Sequence, residues 1–394
     1  MGLAMICRLL GTGWARWAFL GLISVSGALA GEATSQLRPV AADQVVPGAS
    51  GASLTVHVEA GMGRRDFHVT FERDGAWYTY FDGAGWTVPV QVTAGAPFRS
   101  GVHLAIDRDN GAHVAWVEGG GDRRGTVKYR RIRPGGGTVQ LGPVEDVHGP
   151  QGWNECDIAL DHAGQPVIAA NTTTQSELAL YERQADGRWR QTVLPSDNSL
   201  HKWAPTIVAA EDGLLYVAFR RKDAHPFTWQ VRDRGVWSKD AATPWRSYEP
   251  NAIPHGRGLL ASSMDGYVYR VEKSGDTFIT SHHDLRQMKR RVIRGQHVGL
   301  GRTAAGTLVL AHSDMANEDQ RDRTVGGNDR IYLSRSSDDG RTWTFNVPLA
   351  ADPGQGHGNL AVNSTWIMVV WPDIRGGPHL RYSLLEDVRP PHDS

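Results

Sequence analysis

The chain contains a recurring pair of strand-like segments. A turn separates the two segments of each pair, and in most copies this turn contains a glycine. One copy runs from Val102 to Asp107, turns at Asn110-Gly111 and returns from His113 to Trp116. The first strand of each copy begins near residues 53, 102, 156, 204, 250, 297 and 358. A repeat of this kind indicates a structure built from equivalent units, each of which buries its apolar surface against the next.

The spacing of the copies sets the size of the unit. Successive first strands lie roughly 46 to 61 residues apart, which is enough for four strands and their turns. The second half of several units is a hairpin in which a glycine precedes an aromatic residue, as at Gly85-Trp86, Gly187-Arg188-Trp189, Gly235-Val236-Trp237 and Gly275-Asp276-Thr277-Phe278. No segment has sustained helical periodicity. The sequence therefore predicts an all-β fold, a seven-bladed β-propeller of four-stranded antiparallel blades.

The last copy lacks a strand. After the pair that ends at Trp371, only the segment 380–384 is strand-like. We expect residues near 39–46 to supply the missing strand and to close the ring. The predicted organisation is a lead-in with the ring-closing strand at 31–45, a propeller at 46–388 and a polar tail at 389–394.

The first 30 residues have the features of a signal peptide. Arg8 and Arg16 form a basic region without acids, residues 17–25 form a short apolar core, and Ala28-Leu29-Ala30 fits a cleavage site. The apolar core is too short to span a bilayer as a permanent helix. The sequence thus predicts a secreted or periplasmic protein that has no membrane association after cleavage.

Charge and cysteine content exclude several classes of protein. The chain has 42 basic and 42 acidic residues, so it has no overall field that would attract nucleic acid. Of its 2 cysteines, Cys7 lies in the signal peptide, which leaves Cys156 alone and rules out a disulfide within the mature chain. Cys156 opens an apolar strand, so we interpret it as a packed residue rather than a nucleophile. We expect a monomer stabilised by its core.

One hairpin carries a fuller signature than the others. Its sequence is Ser336-Ser337-Asp338-Asp339-Gly340-Arg341-Thr342-Trp343, that is, Ser-x-Asp-x-Gly-x-Thr-Trp. Ser and Asp side chains hydrogen-bond the backbone of tight turns, and Gly supplies a left-handed conformation. The pattern resembles the Asp-box, or BNR repeat, of the sialidase-like β-propellers. The resemblance implies the propeller fold and no particular chemistry, because an Asp-box is a folding element.

Polar and aromatic residues concentrate in the segments that a propeller places around its central funnel. Arg binds carboxylate and sulfate, Trp and Tyr stack on sugar rings, and His and Tyr transfer protons. The predicted substrate-binding residues are Arg99, Trp153, Asn154, Lys202, Trp203, Arg220, Arg221, His312 and His357. The predicted catalytic residues are His201, Tyr248, Arg294 and His297. Together they favour an acidic oligosaccharide or polysaccharide as the partner.

No cofactor or metal site is predicted. His282-His283-Asp284 and the scattered histidines lack the spacing of zinc ligands. His312 and Asp314 could bind a cation, so a structural or charge-neutralising divalent ion stays open. Phosphate-binding loops, dinucleotide-binding fingerprints and nucleophile elbows are absent from the sequence.

Three functions agree with these residues. The chain is similar in length, export and blade count to propeller polysaccharide lyases, the ulvan lyases among them, which implies β-elimination on a uronic-acid glycan. A sialidase-like or rhamnosidase-like glycoside hydrolase is the second alternative, although Phe98-Arg99-Ser100-Gly101 only partly matches the Phe-Arg-Ile-Pro signature and Tyr248 and Glu249 project to opposite sides of an extended segment. A propeller that binds a glycan or a protein without catalysis is the third.

Overall fold

The protein is all-β. The structure, a computed structural model, describes residues 36–52, 56–93, 98–119, 125–151, 155–171, 178–194, 202–221, 226–246, 251–262, 267–274, 277–284, 299–314, 330–349, 359–373 and 379–388. The predicted signal peptide and polar tail lie outside these residues. No helix among the described residues is long and apolar enough to cross a membrane.

Within the ranges just given, thirty strands follow one another, interrupted by one short 3-10 turn at Glu211–Gly213. The strands of the first half are β1 (Gln36–Ser50), β2 (Val56–Ala60), β3 (Phe67–Glu72), β4 (Ala76–Phe81), β5 (Val90–Gln91), β6 (Phe98–Ile106), β7 (Ala112–Glu118), β8 (Gly125–Gly135), β9 (Thr138–Leu141), β10 (Glu145–Gln151), β11 (Cys156–Leu160), β12 (Pro166–Asn171), β13 (Leu178–Arg183), β14 (Trp189–Val193) and β15 (Lys202–Ala209). Those of the second half are β16 (Leu215–Arg221), β17 (Pro226–Asp233), β18 (Val236–Trp237), β19 (Ala241–Arg246), β20 (Asn251–His255), β21 (Gly258–Ser262), β22 (Tyr267–Ser274), β23 (Thr277–Asp284), β24 (Gly299–Arg302), β25 (Leu308–Asp314), β26 (Arg330–Ser336), β27 (Thr344–Pro348), β28 (Asn359–Asn363), β29 (Trp366–Asp373) and β30 (His379–Val388).

The strands form seven antiparallel sheets, the blades of a β-propeller. From the innermost strand outwards, blades one to seven are β2-β3-β4-β5, β6-β7-β8-β10, β11-β12-β13-β14, β15-β16-β17-β18, β20-β21-β22-β23, β24-β25-β26-β27 and β28-β29-β30-β1. In blade two β9 also pairs with β8, and in blade four β19 also pairs with β17. In both blades the extra strand continues the outermost layer along a different part of the third strand, so the four-layer blade is kept.

The innermost strands form a closed ring around a central channel. Each contacts the innermost strand of the next blade, in the order β2, β6, β11, β15, β20, β24, β28 and back to β2. Blade seven takes its outermost strand from the other end of the chain, because β1 pairs with β30 from Gln36↔Val388 to Ser50↔His379. The predicted seven-bladed fold is confirmed.

The core lies between the blades. The described residues contain seven apolar clusters, and each one joins two neighbouring blades. β12 shows why the second strands are apolar throughout. Side chains alternate across a sheet, so Ile168 and Ala170 pack against blade two while Val167 and Ala169 pack against blade four. Cys156 belongs to the cluster between blades two and three, where burial raises the pKa of its thiol.

The turn from Ser336 to Trp343 connects β26 to β27. Gly340 donates its backbone N–H to Ser336 Oγ at 2.8 Å, and Asp338 Oδ1 accepts from the N–H of Thr342 at 2.8 Å. The Trp343 indole folds back and donates to the carbonyl of Gly340 at 3.0 Å. Asp339, in the same turn, forms ion pairs with Arg270 of blade five and Arg302 of blade six. The turn therefore stabilises its own hairpin and its neighbour.

Gly340→Val should lower the free energy of unfolding by about 1–3 kcal/mol. Gly340 has φ of 85°, a left-handed conformation that a β-branched residue tolerates poorly. Gly135 is the matched control, because a side chain there would meet no atom within 4 Å and its φ is not in the left-handed region. Denaturant unfolding of Gly340→Val and Gly135→Val measures the difference, and equal stabilities would contradict the role of the turn.

Candidate functional site

The predicted residues that fall in described strands lie at one edge of the blades. Neighbouring strands are antiparallel, so the start of each innermost strand and the end of each second strand share an edge, which we call the entry edge. Arg99 is the second residue of β6, and His312 is near the end of β25. Both positions belong to the entry edge, at blades two and six.

Blade four has the most basic entry edge among the described strands. Lys202 and Trp203 begin β15, while Arg220 and Arg221 end β16. The pairing register sets Lys202 opposite Arg221 and Trp203 opposite Arg220. Three cationic residues and one tryptophan therefore occupy two adjacent pairs of the register, and adjacent pairs alternate between the two faces of a sheet. Lys202 and Arg221 are like charges at directly opposite positions, an arrangement that by itself destabilises a sheet.

The other predicted residues lie outside the described residues. They are Trp153, Asn154, His201, Tyr248, Arg294, His297 and His357. Their convergence on the funnel stays a prediction.

The innermost strands carry a histidine–carboxylate pair that joins two blades. His103 is on β6, and its Nδ1 lies 3.1 Å from Oδ1 of Asp157 on β11. Asp157 is fixed from two further sides, because Oδ1 accepts from the N–H of Ile158 at 2.9 Å and Oδ2 accepts from the N–H of Ile207, in blade four, at 2.9 Å. The His103 side chain is 33% exposed, against 11% for Asp157. His103 lies on an innermost strand, and the innermost strands border the channel.

A second histidine lies beside this pair. The rings of His57 and His103 are 5.0 Å apart between centroids. His57 Nδ1 accepts from the N–H of Leu104 at 3.1 Å, so its hydrogen is on Nε2, which lies 3.4 Å from Glu59 Oε1. We call His57, Glu59, His103 and Asp157 the channel cluster.

Electrostatics favour the protonated form of His103. Burial by itself lowers the pKa of His103, but the negative charge of Asp157 and the hydrogen bond between them outweigh it, so the pKa is raised. Burial likewise acts to raise the pKa of Asp157, yet the charge of His103 prevails and the pKa is lowered. The pair can therefore hold a proton and release it to the channel.

Sequence reasoning missed the channel cluster. His103 and Asp157 stand in the apolar segments Val102–Ile106 and Cys156–Leu160, which we interpreted only as first strands of the repeat. The available signal was a titratable residue within the innermost strand of two successive units. Such a residue borders the channel wherever its side chain is not enclosed between blades.

A different polar network closes the opposite edge. Asp66 of blade one accepts from Asn110 of blade two, with Nδ2 to Oδ2 at 2.8 Å, and from Asn363 of blade seven, with Nδ2 to Oδ1 at 3.0 Å. Asn110 Oδ1 lies 3.1 Å from Nε2 of His68, whose Nδ1 lies 2.7 Å from the Tyr78 hydroxyl. An amide oxygen only accepts, so His68 carries its hydrogen on Nε2. Both His68 and Asp66 are buried, which makes the network a clamp between three blades rather than a binding site.

Acid should weaken the fold through His68. Burial lowers its pKa from 6.5 to about 4, so between these values the unfolded chain binds a proton that the folded chain does not. Its contribution is complete above pH 6.5 and is lost as the pH falls toward 4. A lowering of the pKa by this amount corresponds to about 3 kcal/mol of stability at most.

The measurement is urea unfolding of the unchanged chain and of His68→Gln from pH 7 to pH 4. The variant should have a lower stability at pH 7 and a flatter dependence on pH. His162→Gln, an exposed histidine of the turn between β11 and β12, should keep the original slope. Parallel curves for all three chains would contradict the assignment.

No group of three or more His, Cys, Asp or Glu side chains among the described residues is arranged to hold a metal ion. His282, His283, His312 and Asp314 lie in strands, but their side chains are not among those described.

Solved structures of several kinds share the fold, whereas no protein-family model and no curated protein matches this chain. An ulvan lyase of polysaccharide lyase family PL25, bound to -[GlcA(1-4)Rha3S]-, is 9% identical with a TM-score of 0.57, over 88% of this chain and 96% of that one. BBS1N in complex with ARL6DN is 9% identical with a TM-score of 0.55, over 90% and 98%. The Trypanosoma rangeli sialidase, with the inhibitor DANA, is 8% identical with a TM-score of 0.50, over 85% and 55%. At these identities the likeness shows the β-propeller fold alone.

Proposed function

We propose that the protein is a secreted or periplasmic β-propeller that binds an acidic, uronic-acid-containing glycan at the entry edge and cleaves it by β-elimination. The observation that carries the proposal is the register of blade four, in which Lys202 and Trp203 pair with Arg221 and Arg220. Cations bind the carboxylate or sulfate groups of such a glycan, and an indole stacks on its sugar rings.

The predicted catalytic residues have distinct roles in this proposal. Arg294 neutralises the uronate carboxylate and so acidifies the proton on the adjacent carbon. A histidine takes that proton, with His201 and His297 as the candidates that the sequence predicts, and Tyr248 protonates the leaving oxygen. We also assign the turn from Ser336 to Trp343 to the Asp-box class, on its sequence pattern and its hydrogen bonds.

Two of the similar structures support a carbohydrate ligand. The PL25 ulvan lyase is described with an acidic disaccharide repeat, and the trypanosomal protein is described as a sialidase. They favour a lyase and a hydrolase respectively. BBS1N is described in complex with another protein, and it supports the alternative of a propeller that binds without catalysis.

The test is incubation of the purified protein with a panel of acidic glycans. A lyase generates an unsaturated uronate, which absorbs in the near ultraviolet, together with one new reducing end per bond broken. Reducing ends without absorbance would replace the lyase by a hydrolase. Binding by calorimetry without either product would replace both by a glycan-binding propeller, and the absence of binding would refute a glycan ligand.

A further inference from the structure

We propose that His103 is a proton-transfer site of the central channel, with Asp157 as its positioning residue, and that its Nε2 accepts the substrate proton in the elimination. The second part rests on the proposed function; the first does not. Neither residue belongs to the set that the sequence predicts as catalytic.

The hydrogen bonds leave one nitrogen available. A carboxylate only accepts, so His103 donates from Nδ1 to Asp157 and carries the lone pair of its neutral form on Nε2. Within the described residues, Nε2 has no hydrogen-bond partner, and a third of the side chain is exposed. A carboxylate that holds Nδ1 fixes the tautomer and orientation of an imidazole and makes the other nitrogen more basic.

The position of the pair suits a substrate held at the entry edge. Asp157 is the second residue of β11 and follows the predicted Trp153 and Asn154 by only a few residues. His103 lies four residues beyond Arg99 on β6, or about 13 Å along an extended strand. A glycan bound at Arg99 therefore reaches the ring of His103 if it extends into the channel by about that distance.

The chemical step balances without an oxidant or reductant. The Nε2 lone pair of His103 takes the proton from the carbon that bears the uronate carboxylate. The electrons of that C–H bond form a carbon–carbon double bond as the neighbouring bond to the glycosidic oxygen breaks. The leaving oxygen takes a proton from water or from an acidic side chain, and His103 returns its proton to solvent.

The charges around His103 set the direction of the pH dependence. Asp157 faces it from β11 and His57 from β2, Glu59 lies beside His57, and Glu72 and Glu155 add negative charge. Asp157, Glu72 and Glu155 raise its pKa. Because the acceptor must be neutral, turnover should increase as the pH rises through the pKa of His103, and Asp157→Asn should move that increase to lower pH.

The experiment combines titration with turnover. In the full chain, the ring protons of His103 should titrate in proton NMR and Nε2 should react with diethyl pyrocarbonate, while buried His68 should not react and should titrate only near pH 4. On any acidic glycan that the panel shows to be cleaved, His103→Gln should lower kcat by about 100- to 10,000-fold with little change in KM. His162→Gln is the matched control and should leave kcat unchanged.

Each result is decisive. An unchanged kcat in His103→Gln, with turnover present, overturns the inference and leaves the proposed function intact. If no glycan is cleaved, the proposed function fails by itself, and a His103 that neither titrates nor reacts overturns the channel site as well. If His103→Gln does not fold, the pH dependence of turnover in Asp157→Asn decides. A rise of turnover at an unchanged pH contradicts the pairing of His103 with Asp157, and a rise at lower pH supports it.

Discussion

A chain that begins at Gly51 is expected to lose the cooperative thermal transition of the complete protein. It lacks β1, which pairs with β30 along its whole length and supplies Val46 and Ala49, both fully buried, to the core between blades seven and one. One buried valine contributes about 1.5–3 kcal/mol, and a ladder of backbone hydrogen bonds is lost with it. Domain stabilities are only about 5–15 kcal/mol, so we expect the shortened chain to be unfolded or aggregated.

Addition of the missing strand sharpens the test. A synthetic peptide of residues 36–50 should restore part of the transition, because the outer face of blade seven is then completed in trans. Removal of residues 389–394 is the control and should leave the melting temperature within a few degrees of that of the complete chain. A shortened chain that melts cooperatively as a soluble monomer without the peptide would refute closure of the ring by β1.

Arg294→Ala is expected to lower turnover of an acidic glycan by about 100- to 1,000-fold. In the proposed elimination, negative charge develops on the carboxylate that Arg294 binds, and removal of one preorganised donor of this kind costs about 2.7–4 kcal/mol in the transition state. Tyr248→Phe should lower kcat and leave KM nearly unchanged, because the aromatic ring remains while the proton donor is lost.

The control for this series is Arg341→Ala, an exposed arginine of the turn at the opposite edge. It removes the same charge from the molecule and should leave kcat/KM unchanged. In a propeller that binds without catalysis, affinity should instead fall more for Trp203→Ala than for Tyr248→Phe. Equal losses for Arg294→Ala and Arg341→Ala would show that only the net charge matters, and the proposed role of Arg294 would be wrong.

Most of the fold follows from the sequence because each blade is encoded locally. Antiparallel strands joined by short turns need only nearby residues, so the copy that begins at Val102 predicts β6 and β7 without knowledge of the rest. The second strands read as continuous apolar segments because both faces are covered. The split of the outermost layer in blades two and four was not predicted, since the edge of a sheet makes few contacts that would constrain its pattern.

The channel cluster could not be predicted in the same way. His103 and Asp157 lie on different blades, and their contact depends on how the innermost strands are aligned across the boundary between the two sheets. The alternation within one strand predicts the side of the sheet on which a residue lies, but not which residue of the next blade it contacts. For the predicted site residues in the segments before the innermost strands, the residue types indicate a function. Their positions, however, depend on long connections whose paths the sequence does not determine.

The ring of innermost strands has a consequence for how the molecule fails. In an open array of repeats, the terminal units have one neighbour each and fray first. Here β28 contacts β2, so no blade is terminal, and release of any one blade breaks two of the seven apolar clusters at once. Release of one blade therefore costs two interfaces, whereas fraying of a terminal unit in an open array costs one. Slowly exchanging backbone amides of all seven second strands should become exposed together, as a single unit, rather than in sequence from the ends.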